Sequence, residues 1–513
     1  MAVNGERSPG ERSRAVPAGT PVSTLQSGVK SPPSSAPFGS EPALTAGGAK
    51  RAAVRGSAIT LAGFGASSVL RFISNLIITR LLVPEQFGIM ALVNVFIMGL
   101  ALFSDTGVGP NIIQSPRGND PVFLNSAWTI QVIRGVIIWV AACLLAWPLS
   151  RFYARPELFH LLPVAALSAL IGGLESTRLF TQNREMSLGR LSMVELAAQV
   201  TGLVVTLGLA ALTHSLWALV FGSLVSVVCK TSLSHLVLPG EPNRFAWDAA
   251  SRRAILDFGR WIFFNTATFF LASQSDRLVL GKLVSDRELG FYAIAVNLAA
   301  LPGQIIGQLS QRVLYPIVAA TIRSGRESLS TVRSNHVRLL QVIAPVIAMG
   351  AVLAAPAVAI LYRRQYWEVG KLVSCLLIGT WLGAISASYG SVLMAAGRPK
   401  YLSVGSVVKA VTFLALVFFI APRFGVVGVA IWLGISEIGS LAVAAFGWRE
   451  IGLSAWKSDV VITLLALAYT AVCQLVYEAA LRLFHGVSVP AMLVVVAMTG
   501  GVVWILGRRS KLF

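Results

Sequence analysis

Residues Arg80–Phe103 read RLLVPEQFGIMALVNVFIMGLALF: one cation, a proline turn, a Phe-Gly pair, and then a predominantly apolar run over Ile89–Leu102. A helix of about 20 apolar residues at 1.5 Å rise spans a hydrocarbon core of about 30 Å, whereas buried helices of soluble proteins are shorter and carry a polar face. The same texture recurs along the chain, as in Leu76–Leu82 and Val460–Val472. Across 513 residues, 55% are hydrophobic and 12% charged. A soluble domain carries about twice that charge, so the solvent for most of this surface is lipid. Backbone groups in lipid must find partners within their own segment, which selects helices over open strands.

Fourteen transmembrane helices are expected, near 57–82, 86–109, 124–148, 158–180, 190–212, 215–238, 258–283, 289–318, 337–361, 370–396, 401–421, 426–447, 459–483 and 489–507. Residues 1–50 precede them; 22 are Gly, Pro or Ser. Such a segment buries too little surface to offset its ordering entropy and reads as a disordered cytoplasmic tail without a signal peptide. The net charge of +20 lies mainly in loops. With the tail inside, 27 Lys and Arg fall on the cytoplasmic side and nine outside, a three-to-one bias that places both termini in the cytoplasm. Charge spread over loops gives no compact basic face, so nucleic acid is not an expected partner. Loops are short; the largest, about 239–257, reads as a basic amphipathic linker at the membrane surface.

Two segments match at an offset of 202 residues: RLLVPEQFGIMA (Arg80–Ala91) and KLVSDRELGFYA (Lys282–Ala293). Arg80 aligns with Lys282, Leu81 with Leu283, Phe87 with Leu289, Gly88 with Gly290 and Ala91 with Ala293. Each joins the first two helices of a six-helix block, and an even number of spans separates them, so the repeats are parallel. The expected fold is therefore an all-α polytopic membrane protein of two six-helix lobes, 51–238 and 258–447, with two further helices in 448–513.

Six cations fall within spans: Arg71, Arg80, Arg134, Arg277, Arg312 and Lys409. A cation at mid-bilayer costs about 2.5–3.5 kcal/mol on insertion scales and so faces a polar cavity or a partner. Arg80 and Arg312 are near span ends, where a long side chain snorkels to water. Arg71, Arg134, Arg277 and Lys409 are deeper, and Lys409 is roughly 12 Å into its span. These four are the candidate substrate-binding residues, with structural ion pairing as the competing role. Asp276, Glu437 and Glu478 are candidates for ion pairing or for carrying a proton. Asp105, in a Ser-Asp-Thr-Gly turn, reads as a local hydrogen-bonding group. The four cysteines and five histidines form no ligand-spaced set, so neither metal nor cofactor is expected, and no catalytic residue is assigned. Glu85, Glu157, Asp286, Glu288 and Glu368 are the acids of the expected outer loops and form no catalytic cluster, against a membrane glycosyltransferase or polysaccharide polymerase.

The stretch TRLLVPEQFGIMALVNVFIMGLALFSDTGVGPNIIQ, Thr79–Gln114, with its Arg-Leu-Leu, Phe-Gly hairpin and Asp-x-Gly before a Gln, resembles the polysaccharide transporter branch of the MOP flippase superfamily, specifically Wzx-type exporters of the colanic-acid kind. So does SDRLVLGKLVSDRELGFYAIAVNLAALPGQIIGQLSQRVLYPIVA, Ser275–Ala319, with Arg277 for the usual Lys and Phe291 for the first Tyr; AAGRPK, Ala395–Lys400, is a weaker match. The likeness covers roughly residues 55–450. It implies a flippase of the bacterial cytoplasmic membrane whose lobes rock around a central cavity. Its cargo would be an undecaprenyl-diphosphate-linked oligosaccharide, passed to polysaccharide polymerase and assembly proteins. The alternatives are an exporter of drugs or of another lipid-linked precursor within the same superfamily.

Overall fold

The structure, a computed structural model, describes residues 46–185, 187–309, 329–485 and 487–510. Contacts divide the chain into Met1–Ala53 and Val54–Phe513. The tail expected over 1–50 lies outside the described residues as far as 45, and Ala46 already opens the first helix. The segment around Arg312 also lies outside them.

The first half of the chain holds α1 (Ala46–Leu81), α2 (Pro84–Phe103), the short α3 (Val108–Gln114), α4 (Pro121–Tyr153), α5 (Glu157–Gly173), the short α6 (Arg178–Arg184), α7 (Leu188–Thr213) and α8 (Trp217–Leu236). The second holds α9 (Ala249–Leu283), α10 (Asp286–Leu309), α11 (Leu329–Leu361), α12 (Trp367–Ala395) and α13 (Lys400–Glu450). Two more helices follow, α14 (Trp456–Leu483) and α15 (Ser488–Ser510). Gly425 interrupts α13 at φ 58°, ψ −156°, a conformation that a Cβ disfavours. Pro422 lies just before it, and the halves 400–424 and 426–450 return along each other, with the Trp432 indole donating to the Phe413 carbonyl at 3.0 Å. Counted so, fourteen long helices occupy the fourteen expected places among the described residues.

Two expectations need correction. The fourth span does not run to 180 as one helix: α5 ends at Gly173, and α6 departs from its line by 59°. The linker expected over 239–257 is not a separate amphipathic element. Its first part is an extended strap pinned to α4, with the Arg244, Ala246 and Asp248 amides donating to Asn125, Thr129 and Ser126 at 2.9, 3.0 and 3.1 Å. Asp248 then caps α9, accepting from the Ser251 hydroxyl at 2.6 Å and the Ser251 amide at 2.8 Å, and these two hydrogen bonds hold its carboxyl below the usual range. From Ala249 the helix runs unbroken into the seventh span.

The repeat is visible as a contact. A Cβ on Gly88 would stand 2.1 Å from the Asp286 carbonyl oxygen, and one on Gly290 would stand 1.9 Å from that of Pro84. At the 202-residue offset Pro84 corresponds to Asp286 and Gly88 to Gly290, so the contact is reciprocal about a pseudo-twofold axis. Only glycine lets the two backbones approach so closely. The same hairpin end is braced elsewhere: Arg155 pairs with Asp286, the Tyr366 hydroxyl donates to the Leu82 carbonyl at 2.8 Å, and that of Tyr153 to Leu278 at 3.2 Å. Arg80 reaches the Leu361 carbonyl at 3.4 Å and stays exposed, as its place near a span end requires. At this end the lobes are closed on each other.

Candidate functional site: a cationic cavity between the lobes

Beginning at that closed end and running away from it is a cavity of about 500 Å³. Its walls are faces of α1, α2 and α10 at three- and four-residue spacing. Ser68, Arg71 and Asn75 come from α1, and Phe87, Met90 and Asn94 from α2. Ala293, Asn297, Leu301 and Gln304 come from α10, and Arg277 projects from α9. Such spacing puts each set on one side of its helix.

Arg71 is exposed to this space, with its guanidinium 3.5 Å from the Ser68 hydroxyl. Arg277 is half-buried; its Nη1 donates to the Gln274 side-chain oxygen at 2.6 Å, which aims the group, and its buried Nε has no partner among the described residues. Neither arginine lies within ion-pair distance of a carboxylate among the described residues. Asn75, the counterpart of Arg277 in the first lobe, accepts from the Tyr362 hydroxyl at 3.3 Å. The cavity thus carries two cations, four carboxamides and hydroxyls.

The other two deep cations go elsewhere, contrary to the expectation that all four share a site. Arg134 closes the end of α2: it donates to the Ala101 carbonyl at 2.6 Å and to Ser104 at 3.2 Å, with Asp105 at 3.9 Å. A cation there satisfies carbonyls that the helix terminus leaves open. Lys409 pairs with Glu437 across the two halves of α13. That partner explains how a lysine is tolerated so deep, and it takes Glu437 out of the set of free acids. Removing one member of a buried pair leaves an unpaired charge at a cost of about 3–5 kcal/mol, whereas removing both is close to neutral. Lys409→Met is accordingly expected to lower the thermal midpoint and abundance of the protein, and Lys409→Met with Glu437→Leu to restore both, as read by fluorescence-detected melting of the solubilised chain. Glu478 accepts from Gln474 at 2.8 Å on an exposed face of α14 and joins no site. Asp276 turns away from its neighbour Arg277 and accepts from the Tyr292 hydroxyl at 2.6 Å; it is 4% exposed, and its Oδ1 has no partner among the described residues.

Sequence reading missed Asn75, Asn94, Asn297 and Gln304. The signal was the stripe Ser68, Arg71, Asn75 on an otherwise apolar helix, of which only the charge drew notice.

A closed hairpin end, a parallel repeat and a polar cavity at the lobe interface define the class: an integral membrane protein with the fold of the MOP flippase superfamily. The chain belongs to the polysaccharide biosynthesis protein family, whose model matches residues 77–371. It is 22% identical over 398 residues to the lipopolysaccharide biosynthesis protein WzxC of Escherichia coli (strain K12), covering 74% of this chain and 79% of that one. It is likewise 22% identical over 387 residues to the succinoglycan biosynthesis transport protein ExoT of Rhizobium meliloti (strain 1021), covering 74% and 76%. The fold is similar to that of the lipid II flippase MurJ in an inward closed conformation, with TM-score 0.67, 13% identity and coverage of 87% of this chain and 97% of that one.

Proposed function

We propose that the chain is a flippase that carries an undecaprenyl-diphosphate-linked oligosaccharide from the cytoplasmic to the outer leaflet of the bacterial cytoplasmic membrane, supplying exopolysaccharide, capsule or O-antigen assembly. The observation that carries the reading is the pair Arg71 and Arg277, free of carboxylates among the described residues, in a cavity between two lobes. A diphosphate must cross a region of low dielectric, where its hydration is lost. Two unit charges 4 Å apart attract by about 4 kcal/mol at an effective dielectric near 20, so fixed cations lower that barrier substantially. Guanidinium also matches phosphate oxygens in paired hydrogen bonds. The carboxamides of Asn75, Asn94, Asn297 and Gln304 donate and accept, as sugar hydroxyls require.

In this reading both termini are cytoplasmic and the closed hairpin end faces outward, so the cavity loads from the cytoplasmic side. Opening of the Gly88–Gly290 contact then releases cargo outward. The names of the two relatives support polysaccharide cargo, and the cationic wall disfavours a cationic drug. The test is reconstitution: proteoliposomes holding the purified chain should make a fluorescent undecaprenyl-diphosphate tetrasaccharide accessible to a glycosidase on the far face, at a rate proportional to protein. No gain over empty liposomes would reject the proposal.

A further inference from the structure

His336 on α11 is wholly buried, 0% exposed, in the second lobe and away from the cavity. Its Nδ1 is 2.8 Å from the Ser388 hydroxyl on α12, and its Nε2 is 2.8 Å from Asp459 Oδ1 on α14. The other oxygen of Asp459 accepts from the Tyr389 hydroxyl at 2.6 Å, and Asp459 is itself 6% exposed. Trp448 from α13 packs edge-on to the imidazole at 5.1 Å between centroids. Sequence reading passed over these residues, because His336 and Asp459 are 123 positions apart and neither belongs to a motif.

The order Ser, His, Asp invites comparison with a hydrolytic triad. Ser388 is 0% exposed, however, so no substrate reaches its oxygen. What the arrangement can do is bind a proton. With a neutral imidazole, Nε2–H donates to Asp459 and Nδ1 accepts from the Ser388 hydroxyl, leaving a buried formal charge of minus one. With an imidazolium, Nδ1–H donates to Ser388, whose hydroxyl rotates to donate to a carbonyl one turn back in its helix. The cluster is then neutral. Both states keep every polar atom of the chain Ser388–His336–Asp459 paired, so the proton enters by a hydroxyl rotation without moving a backbone. A buried net charge is costly and a neutral pair is less so, which gives the site a reason to take the proton.

We infer that His336 and Asp459 form a proton-binding site that gives transport its pH dependence. The ionisable groups facing the imidazole are few. Arg333, one turn earlier on α11, donates to Ser458 at 3.2 Å beside Asp459. Tyr389 comes from α12, Asp459 from α14, and α13 presents Trp448 among the described residues. A groove of about 270 Å³ along α12, α13 and α14 reaches Tyr389 and Asp459; apart from Trp456 and Thr463 its walls are aliphatic, from Leu382, Ile385, Leu441, Ala445, Val460 and Leu464. Trp456 and Lys457 at the start of α14 put its mouth near the membrane surface. α14 is tied to α12 here by Asp459 and by the Trp381 indole donating to Thr463 at 3.1 Å, so the proton sits where α14 meets the lobe.

The transport half of this inference rests on the flippase reading, and the site half does not. His160, His214 and His485 are exposed and His235 half-buried, so changing those four to Gln leaves His336 as the sole histidine without touching the cluster. In that full-length protein, labelled with 15N-histidine and held in nanodiscs, the imidazole is expected to gain one proton as the pH is lowered. Asp459→Asn in the same background should move that transition by more than about one pH unit, because it removes the charge that holds the proton. An imidazole that keeps one protonation state throughout, or that titrates identically in Asp459→Asn, overturns the site. In proteoliposomes, the rate for the diphosphate-linked tetrasaccharide should change by at least about fivefold between pH 6 and pH 8 and become flat in His336→Gln. Unchanged pH dependence in that variant overturns the coupling. Absence of flipping at every pH rejects the flippase reading and leaves the titration to decide the site.

Discussion

Arg71→Gln combined with Arg277→Gln is expected to stop lipid-linked oligosaccharide flipping while the protein stays folded and abundant. Each arginine faces the cavity without a carboxylate partner among the described residues, so neither holds the fold together by an ion pair. In the proposed function their work begins when an anion enters. A hydrogen bond to a charged group contributes about 1.5–3 kcal/mol, so each single Gln variant should lose about 10- to 100-fold in rate, and the pair more than either. Arg134→Gln is the contrasting case. Its guanidinium serves the Ala101 carbonyl and Asp105, so its loss should appear as lower abundance with the rate per molecule retained. Purified variants compared in the proteoliposome assay, normalised to protein, separate the two. Full activity in Arg71→Gln/Arg277→Gln would leave the cavity without its assigned role.

Gly88→Val and Gly290→Val should be as severe for a different reason. A Cβ at either position falls about 2 Å from a backbone carbonyl of the opposite hairpin, and a backbone cannot swing aside as a flexible side chain does. The closed hairpin end becomes sterically forbidden, and the protein is confined to states in which that end is parted. Transport that alternates between the two faces needs both states, so the rate should fall at least about 100-fold, which corresponds to a closed state disfavoured by about 2.7 kcal/mol. The altered equilibrium is directly readable. Asn94→Cys, on the cavity wall, should react faster with a membrane-impermeant maleimide added from outside in the Gly88→Val background than with Gly88 intact. Equal labelling in both backgrounds would mean that the glycine contact does not gate the cavity.

Much of this architecture was written in local pattern. Long apolar runs and the distribution of Lys and Arg need only the thickness of a bilayer to be interpreted, and they placed fourteen helices. The offset between Gly88 and Gly290 gave the repeat; that the two glycines touch is a consequence of assembly no local pattern states. The bend between α5 and α6 was missed because the apolar run continues through Leu174, while the departure is set by tertiary partners: the Lys230 ammonium on Glu175 and the Asn243 carboxamide on Ser176 and Thr177. The strap before α9 was missed for a related reason, since its hydrogen bonds go to α4, over a hundred residues earlier.

For the site, charge inside a span was a sound signal of a polar environment but did not say which kind. Arg71 and Arg277 meet a cavity, Arg134 a helix terminus and Lys409 a glutamate. The difference lies in which neighbours the helices bring up, and Glu437 is 28 positions from its lysine. His336 shows the converse: a residue read as a single becomes part of a four-residue network once α11, α12 and α14 pack.

The most direct trial of the proposal that the cavity binds phosphate is protection of a cavity cysteine. With Cys143, Cys229, Cys375 and Cys473 replaced, Asn297→Cys becomes the sole thiol, on the wall shared with Arg71 and Arg277. Its maleimide labelling in nanodiscs should be slowed by undecaprenyl diphosphate but not by undecaprenol, and the slowing should vanish in Arg71→Gln/Arg277→Gln. Equal protection by both lipids, or protection that survives loss of both arginines, would contradict the account.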